Sequence, residues 1–110
     1  MWKSLGYIST TPGTPQRITQ HETDPTKMYL CHGILFQQVR TNTGFILVGR
    51  SALNEASGVD LNAVLPIPTL NSLPNATIGI PDSGNPLNAA EYYIDVTVGS
   101  DKCLVSVLVL

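Results

Sequence analysis

The chain has 110 residues, of which 13% are charged, and a formal net charge of −2; an average soluble domain carries about 25% charged residues. This length fits a single domain, residues 1–110, large enough to hold one core without staples. The six cations are scattered singly, which argues against nucleic acid as a partner, because phosphate backbones call for clustered Lys and Arg.

No window approaches the ~18 consecutive apolar residues of a membrane span. The first ten residues carry one lysine and no apolar run, so they do not read as a signal peptide, and folding in a cytoplasm is the expectation. Cys31 and Cys103 do not make a disulfide framework and read as two buried, reduced thiols on strands. Their pairing stays open until the neighbours of those strands are known.

In chain order, residues 5–9 read as a short first strand, ended by Thr11-Pro12-Gly13-Thr14-Pro15. Proline fixes φ and also restricts the residue before it, so this stretch has to turn or run extended. Residues 16–20 read as a second strand with Ile18 its apolar residue, and 21–26 as a polar loop. Residues 28–40 are the longest candidate. At ~3.3 Å per residue they would span some 40 Å, more than a small sandwich needs, so Gly33 is expected to bulge or bend the strand. Residues 41–44 read as a hairpin loop with Gly44 left-handed, and 45–50 as the returning partner.

Residues 51–60 form a polar excursion with a helical turn near 54–57. Residues 61–65 read as a strand that Pro66 and Pro68 end, since proline cannot donate to a ladder. Residues 76–80 are another strand, and 81–90 a loop closing in a single turn before Tyr92. Residues 92–110 read as a hairpin around Gly99-Ser100-Asp101. Its first arm alternates Ile94, Val96 and Val98 with Tyr93, Asp95 and Thr97, the period of a half-buried strand. Its second arm, 102–110, puts Cys103, Val105, Val107 and Val109 on one face and Leu104, Leu108 and Leu110 on the other. A strand apolar on both faces has to be covered on both. One face goes to the domain's own core, and the other is expected to meet another protein chain. Leu104, Leu108 and Leu110, with Trp2 and Tyr92, are therefore the expected partner interface. About eight short strands with few two-residue turns point to an all-β, two-sheet sandwich of jelly-roll type rather than a meander.

The chemistry of an enzyme is not found. There are two histidines, His21 and His32, and no nucleophile elbow, HExxH or phosphate loop. His21, Glu22, Cys31 and His32 match no zinc spacing, and His32 reads as a half-buried strand residue. Glu91 and Asp95 read as ordinary solvated acids rather than a pair for glycoside chemistry. No catalytic residue, cofactor or metal is expected. Trp2, Tyr29, Tyr92 and Tyr93 leave a carbohydrate-stacking platform as an alternative.

Four stretches carry a resemblance. They are GTPQRIT (13–19), LVGRSALN (47–54), GVDLNAVLP (58–66) and the closing NPLNAAEYYIDVTVGSDKCLVSVLV, with Tyr93, Asp95, Val98 and Asp101 in its turn-and-strand pattern. Together they resemble small virion proteins of tailed bacteriophages, similar to capsid decoration or cement proteins. Ser100 interrupts the Gly-Asp of that pattern. The resemblance implies a compact β fold that sits on the outer capsid surface as a dimer or trimer and clamps neighbouring major capsid protein subunits. It carries over no catalytic residue. A head–tail or tail structural protein is the nearest variant of that expectation.

Overall fold

The computed structural model describes residues 1–19, 27–54, 57–67 and 77–110. Nine strands lie in the described residues: β1 (Trp2–Ser9), β2 (Gln16–Arg17), β3 (Leu30–Gln38), β4 (Ile46–Gly49), β5 (Leu61–Leu65), β6 (Thr77–Pro81), β7 (Leu87–Asn88), β8 (Tyr93–Val96) and β9 (Lys102–Val109). One sheet runs β1-β9-β3-β6, with β7 also paired to β3, and the other runs β2-β8-β4-β5. Both are antiparallel. With the two-residue β7 set aside, this is the interleaved order of a jelly roll, in which two sheets pack face to face.

The inner faces form one core. Ile8, Ile34, Phe36, Val105 and Val107 come from the first sheet, and Ile46, Val48, Leu65, Ile94 and Val96 from the second. The alternation expected on β9 is present: Cys103, Val105 and Val107 are fully buried. β3 keeps its expected irregularity, a register shift between Cys31 and Gly33, yet continues as one strand. β1 begins three residues earlier than expected, because Trp2, Lys3 and Ser4 go on pairing with β9. The strand expected over 16–20 stops at Arg17, where Ile18 and Thr19 enter a turn; the expected strand start at Ala76 and part of the turn near 54–57 fall outside the described residues. The expected single turn before Tyr92 is present as a 3₁₀ turn, Ala89–Glu91.

Two expected hairpins are not hairpins. β8 and β9 lie in different sheets, and so do β3 and β4. Their connections cross the sandwich. Only β4 to β5 joins hydrogen-bonded neighbours in the second sheet. Gly44 does not adopt the left-handed conformation expected of it, and Gly99, in the second turn, is not left-handed either. Gly44 instead lies against the β8–β9 crossing, where a Cβ would meet Val98 Cγ2 at 2.9 Å.

A buried polar knot ties these two crossings. The Asp101 carboxylate accepts the backbone N–H groups of Thr43 at 3.0 Å and Gly44 at 2.7 Å. The Asn42 amide donates to the Lys102 carbonyl at 2.6 Å and accepts the Lys102 N–H at 3.0 Å, acting as a strand partner. Gln38 donates to the carbonyls of Gly44 and Pro66. The two bonds to Gly44 are buried, where an unmet group costs about 1–3 kcal/mol, and the others are partly buried.

Candidate docking surface

Four strands of the first sheet set the outward surface through their register. Trp2 on β1 pairs with Leu108, Leu108 with Gly33, and Gly33 with Pro81. The next outward row is Ser4, Ser106, Leu35 and Gly79, and the third is Tyr7, Leu104, Gln37 and Thr77. None of these three rows of four holds an Asp, Glu, Lys or Arg. A sheet face turned to water ordinarily alternates polar side chains outward. Here the outward side is apolar at Trp2, Leu108, Leu35, Pro81, Tyr7 and Leu104. Charges stand only at its ends. Lys102 Nζ lies 4.8 Å from the Tyr7 ring centre, and His32 Nδ1 lies 2.7 Å from Asp82 Oδ2.

The surface has relief. The Trp2 indole leans across Leu108 until its tip would be 3.7 Å from a Cβ on Gly33. Beside it a furrow of about 290 Å³ runs over Gly33, Leu35 and Gly79 to Pro81. Trp2 remains 52% exposed. Leu104 and Leu108 are half-buried, held laterally by their neighbours on β1 and β3. Leu110 is exposed beyond the end of β9.

The second sheet is different. Its outward Asp95 is 1% exposed. The carboxylate accepts the Gly13 N–H at 3.1 Å and its neighbour Val96 N–H at 2.8 Å. Residues 11–14 close on themselves through a Thr14 N–H to Thr11 carbonyl bond, and Gly13, at φ +85°, takes the left-handed position. The chain thus covers this side itself over β8, while Val64 on β5 stays 40% exposed. All four residues of β4 are buried, so the strand shielded on both faces by its own chain is β4 and not β9.

Of the expected interface residues, Trp2, Leu104 and Leu108 meet on one surface, and Leu110 adjoins its end. Tyr92 does not belong there. It is 4% exposed and sits in the core, with the Arg50 guanidinium 4.6 Å above its ring. The residue after it is the half-buried one, because the 3₁₀ turn places Tyr92 inward before β8 begins. Asp95 is likewise not the solvated acid expected. His32 is exposed rather than half-buried, because the bulge turns it outward beside Asp82. Tyr7, Leu35, Gly79 and Pro81 were not foreseen. Their outward parity is legible in each strand, but no single strand reveals which others adjoin it.

The residues considered for chemistry do not converge. Cys31 is buried while His32 points outward, and His21 and Glu22 lie outside the described residues. Among the described residues no three His, Cys, Asp or Glu side chains gather as a metal site. Glu91 is paired with Arg50 at 3.1 Å, at a polar hollow with Ser51, Ala90 and Tyr93. Tyr29 packs against the core, with Lys3 Nζ 5.9 Å from its ring, so the aromatic residues form no common platform. Cys31 and Cys103 are free thiols. β3 and β9 are neighbours, but Cys31 pairs with Val109 and Cys103 with Gln38, at opposite ends of the ladder. Burial pushes both thiols up, Cys103 to about 12. Comparison of the chain with family models, with curated proteins and with solved structures finds no match.

Proposed function

We propose that this chain is a non-enzymatic structural protein of a virion. It acts as a decoration or cement protein on the outer surface of a phage capsid, as a dimer or trimer that stabilises contacts between major capsid protein subunits. The observation that supports a structural role is the charge-free outward face of β1-β9-β3-β6. Contiguous exposed apolar surface on a small domain marks a place where another surface docks. Burying Trp2, Leu104 and Leu108 against a partner contributes about 2 kcal/mol each, less the ordering and association costs. Multiplied over many symmetry-related copies, that is a useful increment for a shell.

The virion setting rests on the resemblance of residues 13–19, 47–54, 58–66 and the closing strands. The test is to purify particles from the infected host and look for the chain by mass spectrometry and by antibody labelling of intact heads. The expected result is a copy number comparable with the major capsid protein and labelling on the outside. Absence from purified particles overturns the proposal.

A further inference from the structure

Among the described residues Gly79 has no use within its own chain. Its φ lies outside the left-handed region, and among the described residues an added Cβ would meet only Leu35 Cδ1, at an ordinary 3.8 Å. The β3–β6 register runs through it without a shift. Glycine in a strand weakens it unless a bulge, a bend or the close approach of another group calls for it. The first two are absent at Gly79, which leaves close approach from outside. Gly33, across β3 at the same furrow, also has room for a Cβ, with its nearest neighbour Ile80 O at 3.5 Å.

The two halves of the face are unequal in a matching way. The β1-β9 half is raised, by Trp2, Tyr7, Leu104 and Leu108. The β3-β6 half is low at its Gly33 end, where Gly33, Gly79 and Pro81 line the 290 Å³ furrow beside Leu35. A twofold axis lying in the face and running along the strands sets the raised half of one copy over the low half of the other, twice. A second copy is therefore a shape match, and no charge within the twelve positions opposes it. Four strands at ~4.8 Å spacing and five residues at ~3.3 Å rise give a face of roughly 19 by 17 Å, about 650 Å² over two flat faces; side-chain relief adds to this, and a stacked pair falls in the small, concentration-dependent class of interface.

We infer that the occupant of this furrow is a second copy of the chain, in an isologous, face-to-face dimer whose Trp2–Leu108 ridges seat beside Gly79 and Pro81 of the other copy. This rests on the proposed structural role and names the first partner of the same surface. The axis brings Lys102 and the exposed Arg40 of the two copies to a common rim. Exposed like charges are weak beside apolar burial and are screened by salt, so the dimer tightens as salt rises.

The test is sedimentation equilibrium of the full chain and of Gly79→Arg from about 0.5 to 100 μM, a range that brackets dissociation constants typical of small interfaces. Emission of the single tryptophan, Trp2, is followed over the same dilutions. The expected results are a monomer–dimer equilibrium in that range, a blue shift of Trp2 on association, and tighter association on adding salt. Gly79→Arg is expected to weaken association about hundredfold, with an unchanged circular dichroism spectrum because its side chain starts in open space. A monomer throughout, a dimer indifferent to Gly79→Arg, or a dimer loosened by salt overturns the inference. A monomer found on virions overturns the inference and the dimer or trimer form while leaving the decoration role standing, and a dimer absent from virions removes that role alone.

Discussion

At Gly44 an added Cβ overlaps Thr97 Oγ1 and comes within 3.2 Å of Asp101 Oδ2. Thr97 Oγ1 already accepts the Phe45 N–H at 2.9 Å, and Asp101 is held by two amides, so neither can retreat. Overpacking of this kind costs about 1–3 kcal/mol. Gly44→Ala is expected to lose about 2 kcal/mol in urea titration. Gly79→Ala is expected to be neutral or to gain up to about 1 kcal/mol, because the site is open and the unfolded chain loses freedom. Equal losses at the two positions would show that Gly79 serves the fold after all. Cys103 gives a pH effect whose sign follows from its burial. The unfolded thiol ionises near its ordinary 9.0, while the folded one holds its proton to about 12. Between those values the folded chain binds more protons, so stability falls as pH rises above about 9, and Cys103→Ser flattens that slope at the cost of a buried hydroxyl. Below pH 9 both thiols are expected to resist alkylation until the chain unfolds.

Asp95 fastens one element to another. Its carboxylate holds the turn of residues 11–14 over the second sheet through the Gly13 N–H. Asp95→Ala releases that turn and removes the acceptor of the buried Val96 N–H, an expected loss of about 1–3 kcal/mol. Hydrogen exchange checks it: the Gly13 amide should exchange much faster in the variant while the Val107 amide on β9 keeps most of its protection. Unchanged exchange at Gly13 would mean that the turn is held by other contacts. The same pair shows what the sequence makes visible. The alternation of Ile94 and Val96 placed β8 and its inward face correctly. It also marked Asp95 as outward, but nothing local says that an outward face is roofed by a loop 82 residues away. The hairpins failed for a related reason. Gly99-Ser100-Asp101 has the composition of a tight turn, and tight turns serve crossings between sheets as well as hairpins within one. Partners such as Val98 and Gly44 are fixed by long-range packing, which no window of the chain contains.

At the scale of the whole molecule, the sandwich is asymmetric. One outward side is covered over β8 and β4 by its own chain, through Asp95 and residues 11–14, with Val64 on β5 left exposed, and the other is left open, largely apolar and without charge. The two-faced pattern of residues 102–110 announced an uncovered row, Leu104 and Leu108, and Trp2 was singled out with it. The surface they form became visible only when the register set β1, β9, β3 and β6 side by side. Hydroxyl-radical footprinting of purified particles against the isolated chain at high dilution addresses that surface in place. Trp2, Tyr7 and Leu108 are expected to be protected several-fold in the particle, while Val64 on β5, exposed on the other sheet, reacts more nearly alike in both. Equal reactivity of Trp2, Tyr7 and Leu108 in the two samples would contradict a docking role for this face.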